Sequence, residues 1–364
     1  MRRLLGLVHA EPGISRAAAA RALGASSGAT SDLVATAVAA GWLREGDAVA
    51  HGRGRPTRSL EPSPDAPGVV GAEITHEGWR VAVVGLGGTV RTARTGRHDR
   101  RDPDAVLGAV RAAAAAVADR TPVLGLGLAV PGLVRDERRL DAPMLRWRDR
   151  DLGPALADGV GAFVAGNDAT LAALGEARRG AGRGARVQLH LHLDAGVGGA
   201  VVGAGEPALG AHGLAGEYGH LPFGDPGQRC GCGARGCWGL STGGEAMARS
   251  LGEEAPDDPV AHAHRVYERA AAGEAGARGA VAEVAAAVGR GIAGLVHALD
   301  PDRVTLGGTG VRLLELAGPD VARACAQNLM SFRALPPPEL LPAALGSDAS
   351  VVGAAELLWT RLLR

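Results

Sequence analysis

From residue 68 onward the chain alternates short apolar strands with alanine-rich helices, and this alternation constrains the fold more than any other feature. Apolar runs of about four to eight residues predict strands, whereas apolar positions at helical spacing predict helices. The predicted strands are 69–74, 79–86, 90–95, 123–130, 187–193 and 303–306, and the predicted helices are 103–119, a stretch after Asp168, 259–299 and a closing stretch from about Ser350. Interleaved elements of this kind indicate an α/β core.

Residues 3–43 differ from this pattern and predict three short helices. Their expected ranges are 3–9, 15–23 and 26–41. Ser15 suits an N-cap, and Gly24 suits the end of the second helix. Two short segments then predict a small hairpin, with strands at 42–44 and 48–50. Two helices across a tight glycine turn, followed by a hairpin, are typical of a winged helix-turn-helix, in which the second helix of the pair enters the DNA major groove.

The charge of the chain is unevenly distributed. Its formal net charge is zero, yet residues 1–60 carry eight Arg against four acidic residues, a local excess that suits a polyanion. The segment Gly-Arg-Gly-Arg-Pro at 52–56 fits a narrow DNA minor groove, or alternatively forms a flexible basic linker. The predicted DNA-contacting residues are Arg16, Arg21, Ser27, Thr30, Ser31, Arg53 and Arg55. Because the start of the presumed recognition helix lacks Arg, we expect affinity to depend mainly on the four arginines.

A compact cluster of metal-ligating residue types lies between positions 220 and 237. His220, Cys230, Cys232 and Cys237 follow the spacing H-x9-C-x-C-x4-C, with glycines between the cysteines. Thiolate and imidazole ligands suit tetrahedral zinc, and four protein ligands leave no open position. We therefore predict structural Zn²⁺; the alternative is a set of free thiols beside an unrelated His. Cys325 lies far along the chain and is expected to be a small core residue.

The domain layout follows from length and from one proline-rich stretch. A chain of 364 residues is long enough for two or three domains. Residues 61–67 predict a stiff linker after a DNA-binding domain at 1–60, because each Pro restricts itself and its neighbour. The sequence contains no apolar run of about 18 residues and no convincing signal peptide. We therefore expect a cytoplasmic location and no membrane partner.

Several glycine-rich motifs occur along the chain in an order that matches one protein family. They are Gly52–Pro56, Gly125–Gly132, Gly166–Ala169, Asp194–Gly199, Gly210–His220 with the Cys cluster, Leu306–Gly308, Leu345–Gly346 and Val352–Ala355. With them the chain resembles the ROK family (repressors, open reading frames and kinases), specifically its regulator branch, over nearly its whole length. The resemblance implies a winged helix-turn-helix followed by a two-lobed α/β actin/hexokinase-like (ribonuclease H-like) ATPase fold. It implies a small lobe at 68–166 with the C-terminal helix 346–364, and a large lobe with the zinc site at 167–345.

The resemblance also implies site residues and partners. Asp168 takes the position of the catalytic base, Asn167 that of a sugar ligand, and Glu217 and His220 those of groups that hold sugar hydroxyls. Alternatively, Asn167 and Asp168 only cap a helix, and Glu217 only supports the metal site. The expected partners are an operator DNA with an inverted repeat, a sugar-type effector, and further copies in a homodimer or homotetramer.

Two departures from the family pattern argue against kinase activity. Kinases of the family have an Asp-x-Gly-Gly-Thr turn after the first strand, whereas residues 73–78 read Glu-Ile-Thr-His-Glu-Gly. Phosphate approach favours glycine and disfavours a carboxylate such as Glu77. In addition, members of the family often have Glu two residues after the last Cys, as a sugar ligand, and here Gly239 takes that position. We therefore expect a transcriptional regulator, most simply a repressor, with Asp168 vestigial; the alternatives are an ATP-dependent sugar kinase or a regulator without a ligand.

Overall fold

The computed structural model describes residues 1–49, 57–99, 102–119, 121–156, 161–333 and 335–364. The chain divides into two compact units. Unit 1 comprises Met1–Leu171 and Ser350–Arg364, and unit 2 comprises Ala172–Ala349.

Unit 1 begins with the expected helix trio and a small sheet. The elements are α1 Arg2–Ala10, β1 Ile14–Ser15, α2 Arg16–Leu23, α3 Ser27–Ala39, β2 Leu43–Val49 and β3 Thr57–Pro62. Ser15 caps α2 by accepting a hydrogen bond from Ala18 N at 3.2 Å, and Gly24 ends it in the left-handed conformation at φ 64°. Ser26 caps α3 in the same way as Ser15. The sequence predicts these helix ends because capping depends on only a few neighbouring residues.

The wing differs from its predicted form. Residues 48–50 were expected to form the second strand, but β2 continues through Val49 and pairs antiparallel with β3, from Leu43↔Pro62 to Val49↔Thr57. The segment after Glu45, which resembled a turn, is a register irregularity within β2. Residues 50–56, which join the two strands and include Arg53 and Arg55, lie outside the described residues.

The predicted linker 61–67 also differs, because it begins inside β3. Pro62 pairs with Leu43, and Ser63 N donates to Trp42 O at 3.0 Å. Further along, Arg91 Nη1 donates to Ala66 O at 2.7 Å. The segment is therefore fixed to its surroundings at both ends rather than spanning a gap between domains.

The remainder of unit 1 is an α/β lobe. Its elements are β4 Gly68–Ile74, β5 Gly78–Val84, β6 Val90–Arg97, α4 Pro103–Ala118, β7 Val123–Val130, β8 Leu133–Arg135, β9 Arg139–Ala142, β10 Trp147–Asp151, α5 Gly153–Leu156, β11 Ala162–Asn167 and the start of α6 Asp168–Arg179. The main sheet has the order β11-β7-β4-β5-β6, and β10-β9-β8 form a separate small sheet.

Unit 2 is a second α/β lobe, from which the chain returns to unit 1. Its elements are β12 Val187–Leu193, β13 Val197–Gly203, β14 Glu206–Pro207, α7 Gly244–Leu251, α8 Pro259–Ala271, α9 Ala275–Leu299, β15 Arg303–Gly308, α10 Thr309–Gln327 and β16 Glu339–Pro342, and the returning helix is α11 Ala349–Leu363. The sheet has the order β14-β13-β12-β15-β16.

The two main sheets repeat one topology. In unit 1, β4 pairs antiparallel with β5 and parallel with β7; in unit 2, β12 pairs antiparallel with β13 and parallel with β15. Each sheet therefore places its first strand centrally, with two antiparallel strands on one side and two parallel strands on the other. This repetition confirms the two-lobed actin/hexokinase-like α/β fold.

The winged helix and the first lobe share one hydrophobic core. Leu4 and Val8 of α1 belong to the same buried cluster as Leu86, Leu358 and Trp359 of the lobe. Their relative exposures are 0–1%. Because burial of apolar surface is the main stabilising term in folding, this cluster holds the two parts together as one body.

The long helix α9 forms the centre of the unit 2 core. Within the described ranges, α9 is the one helix that is long and apolar enough to cross a membrane. However, 67% of its apolar window is buried inside the protein. Val284, Val288 and Ile292 lie inside the unit 2 core. The helix α9 is therefore buried in the way that is typical of a core helix.

Candidate functional site

The His220–Cys cluster has the geometry of a tetrahedral metal site. The ligand atoms of His220, Cys230, Cys232 and Cys237 all lie within 4.8 Å of one another. Cys230 Sγ is 3.8 Å from His220 Nδ1, and Cys232 Sγ is 3.6 Å from Cys237 Sγ. With metal–sulfur bonds of about 2.3 Å, a tetrahedron has sulfur–sulfur edges of about 3.7 Å. The residues therefore fit zinc, which would be held by four protein ligands.

The thiols differ in their surroundings. Burial and the neighbouring sulfurs raise the pKa of Cys237 to about 12 in the metal-free site. A hydrogen bond from the Ala234 backbone is the main cause of a lowered pKa at Cys232. Since metals bind thiolates, a cation at this site would displace the proton of Cys237.

The loop that carries the cysteines is a tight knuckle anchored by one tryptophan. Cys230 N donates to Ala234 O at 2.8 Å, and Gly233 adopts φ 97°. Trp238 follows the last cysteine and is fully buried, and its Nε1 donates to Ala287 O of α9 at 3.0 Å. A Cβ on Gly291 would lie 2.1 Å from the Trp238 ring, so glycine is needed beneath it. Trp238 thus packs the metal loop onto α9 and is not available for stacking on a ligand.

Glu217 and His220 lie where the chain crosses the start of β13. A Cβ on Gly216 would be 2.2 Å from Gly199 O, and one on Gly219 would be 2.5 Å from Val197 O, so both glycines permit close backbone contact. His220 Nε2 is 3.9 Å from a Glu217 oxygen, and the Glu217 side chain is 62% exposed. His220 therefore turns Nδ1 toward the thiols and Nε2 toward a solvent-facing carboxylate.

Asn167 and Asp168 lie where β11 ends and α6 begins, in unit 1. Asn167 Oδ1 accepts from Thr170 N at 3.0 Å, and Asn167 Nδ2 donates to Gly132 O at 3.1 Å. Asp168 Oδ1 accepts from Ala169 N at 2.8 Å. The pair thus caps α6, and its role toward a sugar stays a prediction. Glu217 and His220 belong to unit 2.

The turn between β4 and β5 uses its own backbone donors. Thr75 Oγ1 accepts from the amides of Glu77 at 3.3 Å and Gly78 at 3.1 Å. The Glu77 carboxylate is 56% exposed and lies 3.6 Å from Arg97 Nη2. Because two amides that a phosphate would need are engaged and a carboxylate lies beside them, this turn is poorly suited to phosphate. The hydroxyl of Thr75 was not singled out from the sequence, although such local bonds are common for Thr.

The turn between β12 and β13 keeps its glycine-rich form. Asp194 N donates to Gly196 O at 3.0 Å, and His192 Nε2 is 3.0 Å from Asp194 Oδ2. Opposite it, Gly308 has φ 59°, and a Cβ there would lie 2.2 Å from Leu193 O. This turn is the counterpart in unit 2 of the β4–β5 turn in unit 1, and a Cβ at its Gly196 would meet nothing within 4 Å, so this turn keeps open space beside its backbone.

A buried histidine on β12 was not identified from the sequence. His190 is fully buried, which lowers its pKa to about 3, and its Nδ1 is 2.9 Å from Thr305 Oγ1. A Cβ on Gly307 would lie 3.1 Å from His190 Cε1, so the adjacent glycine leaves room for the ring. His190 is therefore neutral and packs as part of the strand pairing beneath the turn.

The predicted DNA-contacting residues in the described part of the winged helix have different surroundings. Arg21 and Ser27 are exposed, and Ser31 is half-buried. Arg16 forms an ion pair with Glu45 of the wing, which ties α2 to β2. Thr30 was predicted to contact DNA, and this is wrong: its side chain is 0% exposed, because it shares the inward face of α3 with Val34.

Arg21 provides the clearest test of DNA contact. It has no ion-pair partner within the described ranges of the chain, so its charge is available to a phosphate. We expect Arg21→Ala to weaken DNA binding and to reduce the log–log salt slope by about 0.9, the value for one phosphate contact. A fluorescence anisotropy titration at several salt concentrations measures the slope. Arg111→Ala, which removes an exposed arginine from α4 outside the winged helix, should leave it unchanged.

The chain combines two α/β lobes of repeated topology with a His–Cys₃ cluster in the second lobe and a fused winged helix. Together these features define a class of actin/hexokinase-like proteins. The model of the ROK family matches residues 69–361, which is most of the chain. The chain belongs to the ROK family.

Relatives within the family include enzymes and repressors. A glucokinase of Halalkalibacterium halodurans is 31% identical over 258 residues, which are 66% of this chain and 77% of that protein. A xylose repressor of Bacillus subtilis is 26% identical over 244 residues, 65% of this chain and 61% of the repressor. Sequence similarity alone therefore gives both activities among the neighbours.

Solved structures show the same two groups. A ROK family glucokinase from Streptomyces griseus, in complex with glucose and AMPPNP, covers 79% of this chain at 27% identity, with a TM-score of 0.69 and 98% of that chain covered. A ROK family transcriptional regulator, a homolog of the E. coli MLC protein, covers 100% of this chain at 21% identity, with a TM-score of 0.80 and 96% of that chain covered. The second likeness shows that the fold is shared over the whole chain, winged helix included.

Proposed function

We propose that the protein is a DNA-binding transcriptional regulator, a repressor, whose kinase-like lobes bind a sugar or sugar derivative without phosphorylating it. In this proposal Asn167, Asp168, Glu217 and His220 contact the effector. The DNA partner is an operator with an inverted repeat, the cofactor is structural Zn²⁺, and the cytoplasmic protein acts as a homodimer or homotetramer. The contacts to DNA come from the exposed residues of α2 and α3 and from the arginines between β2 and β3.

The β4–β5 turn carries the proposal. Its amides at Glu77 and Gly78 are bonded to Thr75, and Glu77 adds negative charge where a polyphosphate would lie. Phosphoryl transfer depends on positioning and charge stabilisation of the transferred group, so the loss of this turn removes a necessary part. Sugar binding needs neither amide. The lobes are thereby suited to bind an effector rather than to turn over ATP.

The first test is DNA binding at low salt. The purified full chain should bind fragments from its own upstream region and protect discrete sites in a genome-wide footprint. Its affinity should change when the correct sugar is added, because an effector acts through its different affinities for two states. Absence of any DNA binding at low salt would overturn the proposal.

An ATP-dependent sugar kinase is the second candidate, favoured by the open β12–β13 turn and by the glucokinase relatives. A coupled ADP-release assay over a panel of sugars separates the two. We expect no release above the rate of an Asp168→Asn control. Turnover that Asp168→Asn abolishes would instead support the kinase, because a carboxylate at this position would accept the hydroxyl proton.

A third candidate, a regulator without any ligand, is separated by thermal stability across the same sugars. A bound effector at 100 times its Kd adds about 2.7 kcal/mol to the stability of the folded protein. No stabilisation by any sugar would favour this third candidate.

A further inference from the structure

The helix α3 has an outward face of very small side chains around one carboxylate. Thr30 and Val34 are fully buried and mark the inward face of the helix. At about 3.6 residues per turn, Asp32 lies close to the middle of the opposite side. The exposed residues of this outward face are Gly28, Asp32, Ala35, Thr36 and Ala39. A Cβ at Gly28 would meet nothing within 4 Å, so the backbone of α3 is open to close approach by another molecule.

Asp32 is the one charged residue of α3, and its carboxylate has no structural role among the described residues. The Asp32 backbone oxygen accepts from Thr36 Oγ1 at 2.8 Å, but the carboxylate has no hydrogen bond or ion pair with any residue that the structure describes. Asp32 also lies beyond the first turn, where a negative charge would stabilise the helix end. The residues three and four positions away, with which a helical ion pair would form, are Gly28, Ala29, Ala35 and Thr36. The carboxylate is therefore available to a partner outside the chain.

A free carboxylate on a helix that enters a DNA groove is repelled by the phosphates on both sides of the groove. A hydrogen-bond donor on a base edge offsets this repulsion. In the major groove the donors are the N4 amino group of cytosine and the N6 amino group of adenine, and adenine carries the acceptor N7 beside its amino group. Guanine presents two acceptors, and thymine presents an acceptor and a methyl group. A carboxylate at this position therefore favours cytosine over the other three bases.

The usual readers of purines are absent from α3. Arg and Lys bond to O6 and N7 of guanine, and Asn and Gln bond to N6 and N7 of adenine. The sequence of α3 contains none of these four residue types. The exposed hydroxyl of Ser27 both donates and accepts, so it distinguishes bases less than a carboxylate does. Asp32 thus has the strongest intrinsic base preference of the side chains on this helix.

We propose that Asp32 determines the sequence specificity of the operator contact, because its carboxylate accepts a hydrogen bond from the N4 amino group of one cytosine in each half-site. The small side chains at Gly28 and Ala35 let α3 approach the floor of the groove closely enough for the short Asp side chain to reach a base edge. The inference rests on the proposed DNA-binding function and deepens it by naming the base that α3 reads.

Selection of randomised duplexes by the purified full chain, followed by sequencing, gives the base preference at each operator position. We expect cytosine at one position of each half-site, and its replacement in one half-site should weaken binding about 5- to 30-fold in a fluorescence anisotropy titration. Asp32→Ala should lose this preference and keep the preferences at the other positions. Asp32→Asn should move the preference at that position from cytosine to adenine, because the Asn amide bonds to both N6 and N7 of adenine.

Glu11→Ala is the matched control. Glu11 is an exposed acid of the winged helix, and the adjacent Pro12 lies beside Gly87 of the first lobe, so this variant should keep the cytosine preference. Circular dichroism verifies the fold of each variant. The inference is overturned if no position of the half-site prefers cytosine, or if Asp32→Ala keeps that preference and binds all duplexes more tightly by one common factor, as a residue facing only phosphates would. Binding without a cytosine preference overturns this inference alone, whereas a chain that binds no DNA overturns the proposed function itself.

Discussion

Replacing His9 with Leu is expected to lower the free energy of unfolding by about 1.5–3 kcal/mol, the usual contribution of a hydrogen bond to a charged group. His9 Nε2 lies 3.0 Å from a carboxylate oxygen of Glu356, which is fully buried. His9 Nδ1 accepts from Gly87 N at 3.0 Å, so Nε2 carries the proton and donates it to Glu356. Leucine would remove both bonds where the winged helix meets the lobe. A urea titration followed by circular dichroism gives the change in midpoint.

The double variant His9→Leu with Glu356→Leu serves as the control. Replacing both partners of a buried polar pair with apolar residues is often nearly neutral, so the double variant should recover most of the loss. A single variant within about 0.5 kcal/mol of wild type would contradict the pair's importance. A double variant whose loss equals the sum of the two single losses would show that the residues act independently.

Replacing Cys232 with Ser is expected to abolish zinc binding and to destabilise unit 2. Four protein ligands within 4.8 Å make a closed site, and loss of one thiolate leaves three. At a free zinc concentration 1,000 times Kd, the bound ion contributes about 4 kcal/mol, and for a unit of this size that corresponds to about 10 °C in melting temperature. Elemental analysis should find one zinc per wild-type chain and none in the variant.

Cys325→Ser is the matched control for the zinc experiment. Cys325 is buried in α10, apart from the cluster, so its replacement should keep the full zinc content even if it costs some stability. Wild-type protein that purifies without zinc and gains no stability when zinc is added would contradict the structural role. The same holds if Cys232→Ser keeps its zinc.

Elements that depend on local sequence were predictable. The strands 123–130 and 187–193 agree with β7 and β12 to the residue, because each is a largely apolar run with turn signals at its ends. The prediction of the wing was wrong because the partner of β2 is β3, which lies beyond residues 50–56. The sequence has no alternating apolar pattern that indicates pairing across such a gap. A Glu-Gly-Asp segment looks like a turn whether it reverses the chain or only shifts the register of a strand.

The site residues likewise fall into some that the sequence predicts and others that only the folded structure shows. The metal cluster could be predicted from the sequence because all four ligand residues lie within 18 residues, from His220 to Cys237. Thr30 was misassigned because the inward face of α3 is decided by packing, and α3 has too few large apolar residues to mark that face. The His9–Glu356 bond joins residues 347 positions apart, which nothing in a single sequence links.

The shared core of unit 1 has a consequence for how such a chain can evolve. Leu86, Leu358 and Trp359 are covered by Leu4 and Val8 of the winged helix. A gene that lost its first 60 codons would encode a lobe with these side chains exposed to water, and a contiguous apolar patch of that kind promotes aggregation. A stand-alone form of this lobe would therefore require polar replacements at these positions as well as the deletion.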